Sequence, residues 1–338
     1  MSQHEIRFAT LLDVDAIMNF IDTHWKKGHI LATNKAFFLY EYVDGKEVNF
    51  VVATDTITNE IVGLCGFIKN TKELAGSDIW GALWKVIKTS NPMLGINILE
   101  FLNENSRCRS FSAAGIAKKT LPIYDFLRYK TGKLNHYYRL NNKDNFQIAA
   151  IKEKVILDFN KNNNYKLHLL ETFQELKTVL NTIQSKTKLP YKDDWYIEKR
   201  YFKHPIFKYQ VFGIKNEEIN SIIITRELKH NEVKIVRIVD FIGIPSDIGC
   251  IGQELQNLLN QNNYEYIDFY CEGIEKGILE NAGLKLKDAT DLNVIPNYFE
   301  PFVQENIDIY YFTNYNCSFP IFKADGDQDR PSQSNLVY

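Results

Sequence analysis

The sequence predicts an α/β chain built as two similar halves, each a mixed sheet with helices packed on its faces. Three observations predict it. A strand-turn-helix-strand-helix passage occurs twice, which points to two related folded halves rather than a solenoid. The length of 338 residues suits two cores of ~150 residues each. Asn-rich clusters at 141–145 and 160–164, a composition that favours turns, punctuate the middle.

Each half opens with a short strand, Ile6 to Thr10 and Lys166 to Leu170, followed by a helix that Thr10 or Thr172 is placed to cap. A second helix follows, Asn34 to Tyr42 and Asp194 to Phe202. Next come paired strands, Val48 to Thr54 with Ile61 to Ile68, and Tyr209 to Ile214 with Ile219 to Arg226. The repeated passage completes each half. In the first it is the strand Ile79 to Lys88, the turn Asn91-Pro92-Met93-Leu94-Gly95, the helix Ile96 to Asn105, the strand Ser110 to Ile116, a helix through Tyr124, and a strand from Leu134 to Leu140. In the second it is the strand Val233 to Gly243, a turn with Pro245, Gly249 and Gly252, the helix Ile251 to Asn260, the strand Tyr266 to Cys271, and a helix containing Leu279. The expected division is a first domain over 1–145, a linker over 146–164, a second domain over 165–313 and a tail over 314–338.

Composition narrows the function classes. The chain is 45% hydrophobic and 24% charged with a formal charge of −2, an ordinary globular balance that gives no reason to expect a nucleic-acid partner. The N-terminus lacks a signal-peptide pattern and no stretch approaches a membrane span, so a cytoplasmic protein without a membrane partner is expected. Five scattered cysteines without C-x-x-C spacing support neither a disulfide framework nor a zinc site, and no metal is expected.

Several residues carry possible chemistry. A strand that stops at a Pro/Gly turn and opens into a helix presents backbone N–H groups and the positive end of the helix dipole, so Leu94, Gly95, Ile96 and Asn97 are placed to hold a pyrophosphate. Trp80 and Trp84 lie on one face of a strand apolar on both faces, the pattern of a core strand. Arg237 and Asp240 interrupt the second central strand and need either an ion pair or a substrate. The run Trp195 to Pro205, with Lys199, Arg200, Tyr201 and His204, interleaves aromatics with cations, as a nucleotide site or a solvated amphipathic helix would. Asp325, Asp327 and Asp329 alternate around Gly326 without the Glu that closes a calcium loop, which suits a polar loop over a hydroxyl-rich ligand.

The segment Tyr124-Asp125-Phe126-Leu127-Arg128-Tyr129, after the repeated passage, resembles the Tyr-Glu-Lys-Leu-Gly-Phe helix of the GNAT acyltransferase superfamily. The resemblance implies two tandem GNAT-like domains, an acyl-coenzyme A donor and Tyr124 as the acid that protonates the departing thiolate. The matching residue of the second half is Leu279, which cannot donate a proton, so the first half is expected to hold the donor and the second the acceptor. The superfamily's signature turn, Gln/Arg-x-x-Gly-x-Gly/Ala, is absent from both halves. The Trp80/Trp84 strand, the run Lys199 to Pro205 and the tail Phe322 to Pro331 are similar to tandem-GNAT enzymes that acylate amino sugars for bacterial surface glycans. An amino-deoxy sugar, nucleotide-linked, is the acceptor this implies. An amine must lose a proton before attack, and His24, Asp78 and Glu73 are candidate bases. Two other functions stay open: a peptidoglycan-extending aminoacyl-transferase and a non-catalytic binding protein.

Overall fold

A computed structural model describes residues 3–161, 164–184 and 188–333. Residues 162 and 163 of the expected linker and 334–338 of the expected tail lie outside the described residues. The chain divides into two compact units. The first comprises 1–132, 310–316 and 325–338; the second, 133–309 and 317–324. Each unit is built on an eight-stranded mixed sheet. Among the described residues no helix is long and apolar enough to cross a membrane.

The first sheet runs His4–Ala9, Glu47–Asp55, Ile61–Lys69, Asp78–Val86, Ser110–Ile116, Tyr310–Thr313, Lys130–Lys133, with Val43–Asp44 beside Glu47–Asp55. The second runs Lys285–Leu286, Asn135–Leu140, Tyr266–Glu272, Val233–Ile242, Ile219–His230, Gln210–Lys215, Lys166–Leu169, with Ile321–Phe322 beside Tyr266–Glu272. Local signals place the helices well. Asn34 and Thr172 cap the helices Lys35–Tyr42 and Phe173–Ile183 through side-chain oxygens, and Thr10 forms a capping box with Asp13.

The closing strands fall differently from the sequence expectation. Asn135–Leu140, expected to end the first half, pairs antiparallel with Tyr266–Glu272 in the second sheet. Tyr310–Thr313 pairs with Ser110–Ile116 in the first. A strand's own residues specify which faces are buried, not which neighbour supplies the hydrogen bonds, so this exchange leaves no local trace. Likewise residues 147–149, assigned to a linker, are held by the buried Glu265 carboxylate, which accepts their N–H groups at 2.7 to 2.9 Å; Ile148 and Ala149 join the second unit's core.

The central strands repeat one device. Asp78–Val86 pairs in parallel with Ser110–Ile116 only at Asp78↔Ser110, Ile79↔Phe111 and Trp80↔Ser112, and then the ladder stops. Val233–Ile242 does the same with Tyr266–Glu272 over Val236↔Ile267, Arg237↔Asp268 and Ile238↔Phe269. A bulge sits beside each splay. Trp84 pairs with Cys65 and Gly81 with Phe67, so Ala82 and Leu83 stand opposite Gly66 alone. Asp240 pairs with Ile224 and Ile238 with Thr225, leaving Val239 over. The extra residue bends the strand and takes it away from its parallel neighbour.

Candidate active site

In the first unit the splay opens a cleft of about 960 Å³. Its walls are the stretch from Gly81 to Thr89 and the stretch from Ala113 to Ala117; Ile123 and Tyr124 of the helix Leu121–Phe126 also line it. Trp84 is fixed there because its Nε1 donates to the Gly95 carbonyl at 3.2 Å. Tyr124 lies 6.2 Å from the Trp84 ring and stacks on Phe312 at 4.1 Å. Burial pushes the Tyr124 phenol well above its ordinary range, with a smaller opposing pull from Thr120. The proton is therefore in place throughout the neutral range.

The four residues expected at the turn separate. Gly95 and Ile96 line the cleft, together with Asn91 and Pro92. Leu94 turns into the core, 1% exposed, and its N–H donates to Asn91 O at 3.3 Å; the Asn97 N–H donates to Met93 O within the helix. Backbone donors already engaged by the turn and the helix are not open to a phosphate, so Leu94 and Asn97 are corrected to structural roles.

None of the three expected bases lines the cleft. Asp78 is 1% exposed, bound by the Arg109 guanidinium and accepting from Ser110 Oγ at 2.8 Å. It ties the paired ends of the two strands together rather than meeting a substrate. His24 is exposed on the short π-helical segment Ile21–Trp25, its ring 4.9 Å from Phe20, and Glu73 is exposed on a loop. The neighbour of His24, Trp25, does line the cleft, and its ring meets His29 edge-on at 4.8 Å.

Four charged side chains line the cleft: Lys85, Lys88, Lys119 and Asp327. None of the lysines makes an ion pair among the described residues. Nothing local in the sequence singles these cations out: Lys85 and Lys88 lie on and just past the end of the strand Asp78–Val86, and Lys119 on the short helical turn Lys118–Thr120. Asp327 arrives from the tail, whose residues 325–333 belong to this unit. Asp325 and Asp329 are buried beside it at 0% and 1% exposure, and Arg330 Nη1 meets Glu41 Oε2 at 3.1 Å. Of the alternating aspartates only Asp327 faces the cleft.

The second unit's expected contacts are largely spent on its own fold. Arg237 pairs with Asp268 and donates to Asn297 O and Pro296 O. Asp240 accepts from Lys192 Nζ at 2.6 Å, from the Tyr201 hydroxyl and from Phe241 N at 2.8 Å. Arg200 is 2% exposed and donates to the Tyr209 hydroxyl. His204 Nδ1 accepts from Phe207 N at 2.8 Å, and Lys199 lies 5.0 Å over Trp195. Arg237 and Asp240 each meet an opposite charge, as a buried charge requires, and Arg200 and Tyr201 donate to side chains of the same unit, so all four are corrected from substrate contacts to internal partners. The second splay is filled. Ile321–Phe322 pairs with Cys271 and Glu272, and Ala324 N donates at 3.0 Å to Val239 O, the carbonyl at the bulge. Leu279, the counterpart of Tyr124, is 0% exposed in the core.

No family model and no curated protein matches the chain. Solved structures do. A GCN5-related N-acetyltransferase of Anabaena variabilis is similar at 8% identity over 92% of this chain and 72% of that one, with a TM-score of 0.54. N-myristoyltransferase of Saccharomyces cerevisiae, solved with bound myristoyl-CoA, is similar at 10% identity over 100% of this chain and 86% of that one, with a TM-score of 0.48. The likeness to the Anabaena protein shows a shared fold, a GNAT-like one, and the two mixed sheets agree with the two similar halves that the repeated passage predicts.

Proposed function

We propose that the first unit is an acyl-coenzyme A-dependent N-acyltransferase and that its acceptor is the amine of an amino-deoxy sugar, carried on a nucleotide. One observation carries the donor half: the first splay is an open cleft with the Tyr124 phenol on its wall, whereas the second is closed by the chain itself. The donor lies along the cleft with its phosphates towards Gly95, Ile96 and the lysines. The bulge at Ala82 and Leu83 turns strand amides towards the thioester carbonyl, where they stabilise the developing oxyanion. Attack by the neutral amine forms the C–N bond. The attacking nitrogen gives up its extra proton to water in the cleft, the C–S bond breaks, and Tyr124 hands its proton to the sulfur and regains one from that water. The sugar acceptor rests on the sequence resemblance alone.

Calorimetry with coenzyme A tests the donor site: wild type binds it, and Gly95→Pro, which deletes a donor and stiffens the approach, does not. Tyr124→Phe keeps binding and loses turnover by ~10²-fold. Unchanged turnover in Tyr124→Phe would remove the phenol from the chemistry, and a wild type that ignores coenzyme A would favour a binding protein.

A further inference from the structure

The tail does in miniature at the first splay what residues 321–324 do at the second. At the paired end of the first cleft, a Cβ placed on Gly326 would stand 3.7 Å from both Ala114 N and Trp80 Cβ, so the tail backbone crosses where the strands begin to part. Gly115, with φ +93°, leaves its side-chain position to Gln328, and any side chain there would collide with the Gln328 amide. Gln328 Nε2 donates to Asp327 Oδ1 at 3.4 Å, and Asp327 lines the cleft. The segment Gly326-Asp327-Gln328 thus crosses that end of the cleft and puts one side chain, the Asp327 carboxylate, on its lining as a floor.

We infer that this tail segment limits the acyl group of the donor to a short chain. The inference rests on the donor assignment proposed above. The open end of the cleft carries Lys88, Asn91 and Gly95; the bulge that faces the thioester lies at Ala82 and Leu83; the floor lies at Trp80 and Ala114. An acyl chain extends from the thioester away from the phosphates, towards the floor. From the bulge to Trp80 the strand advances about two residues, roughly 7 Å. That depth takes an acetyl to butyryl group. A longer chain meets the tail backbone and the Asp327 carboxylate, which an alkyl chain can bury only by stripping it of water.

Calorimetry with a series of coenzyme A thioesters tests the floor without any acceptor. Wild type should bind acetyl- and butyryl-coenzyme A well, and hexanoyl- and myristoyl-coenzyme A at least ~10-fold more weakly. In Gln328→Ala the ratio of hexanoyl to acetyl affinity should rise by ~4-fold for each methylene newly buried. Equal affinity of wild type for acetyl and myristoyl thioesters overturns the floor while leaving the donor site standing. Failure of every thioester and of free coenzyme A to bind overturns both. Should Gln328→Ala not fold, the wild-type length series decides by itself.

Discussion

The two splays start from one design and end as opposite things. In each, a central strand pairs with its parallel neighbour for three residues, bulges and departs. In the second unit the space becomes core: Phe322 is 2% exposed and stacks on Phe269 at 5.7 Å, and Ala324 N donates to the Val239 carbonyl at the bulge. In the first, the chain reaches only the floor, and about 960 Å³ stays open beside Tyr124. The difference lies less in the sheets than in a few tail residues, with Leu279 buried under the filled splay and Tyr124 set on the wall of the open one. A splay is therefore a potential site, and occupancy by the chain's own backbone decides whether it becomes one.

The strongest way to break this comparison is to remove the plug. Phe322→Ala should cost the protein ~3 to 5 kcal/mol, the ordinary cost of truncating a buried phenylalanine, because Phe322 is packed into the second unit's core at 2% exposure. Urea denaturation measures it, with coenzyme A calorimetry on the same variant. A cost below ~1 kcal/mol together with gain of a second coenzyme site would show that the plug is a displaceable lid and that the two clefts are alike after all.

The next effect sharpens the first cleft alone. His29 is buried behind Trp25, and its Nδ1 accepts from Leu31 N at 3.3 Å, a bond that needs the ring unprotonated. Burial, with a smaller push from Lys26, lowers its pKa from 6.5 to about 4. The folded state thus keeps the neutral ring, while the unfolded chain takes up a proton near 6.5. Stability is complete above that pH and declines as pH falls towards about 4, by ~3 kcal/mol in all. Denaturation curves at pH 7.5, 5.5 and 4 (each about the value named) should show this decline, and His29→Asn should flatten it. An equal decline in both proteins would place the titration elsewhere.

What could be read from the sequence was local. The doubled passage, the caps at Asn34 and Thr172, and Tyr124 on a helix beside the first cleft all follow from residue patterns within a few turns of chain. Partnership across the fold was not legible. Nothing in Asn135–Leu140 says that it joins the second sheet, or in Tyr310–Thr313 that it joins the first. Asp78 and Asp240 looked chemical because a charge in an apolar strand is conspicuous, yet Arg109 and Lys192 were waiting for them. Conversely Lys85, Lys88 and Lys119 looked ordinary, and it is their convergence on one cleft that makes them interesting.

Those lysines give the smallest effect and the finest contrast. In the second unit the cations beside the filled splay are engaged within the protein: Lys192 with Asp240, and Lys323 Nζ with Asn297 Oδ1 at 2.7 Å. In the first, three lysines and one carboxylate give the cleft a surplus of positive charge in a protein whose net charge is −2. If they serve the phosphates of coenzyme A, each works across solvent, where a charge pair at contact is worth about 1 kcal/mol. Replacing Lys85, Lys88 or Lys119 by Ala should therefore weaken coenzyme A by ~5-fold apiece, and raising the salt from ~0.05 to ~0.5 M should erase most of the difference as screening shortens the reach of each charge. Pantetheine, which lacks the phosphates, should bind wild type and the three variants alike. Losses as large for pantetheine as for coenzyme A would mean that the lysines shape the cleft wall rather than neutralise a ligand, and the charge contrast between the two splays would then have no bearing on which of them binds.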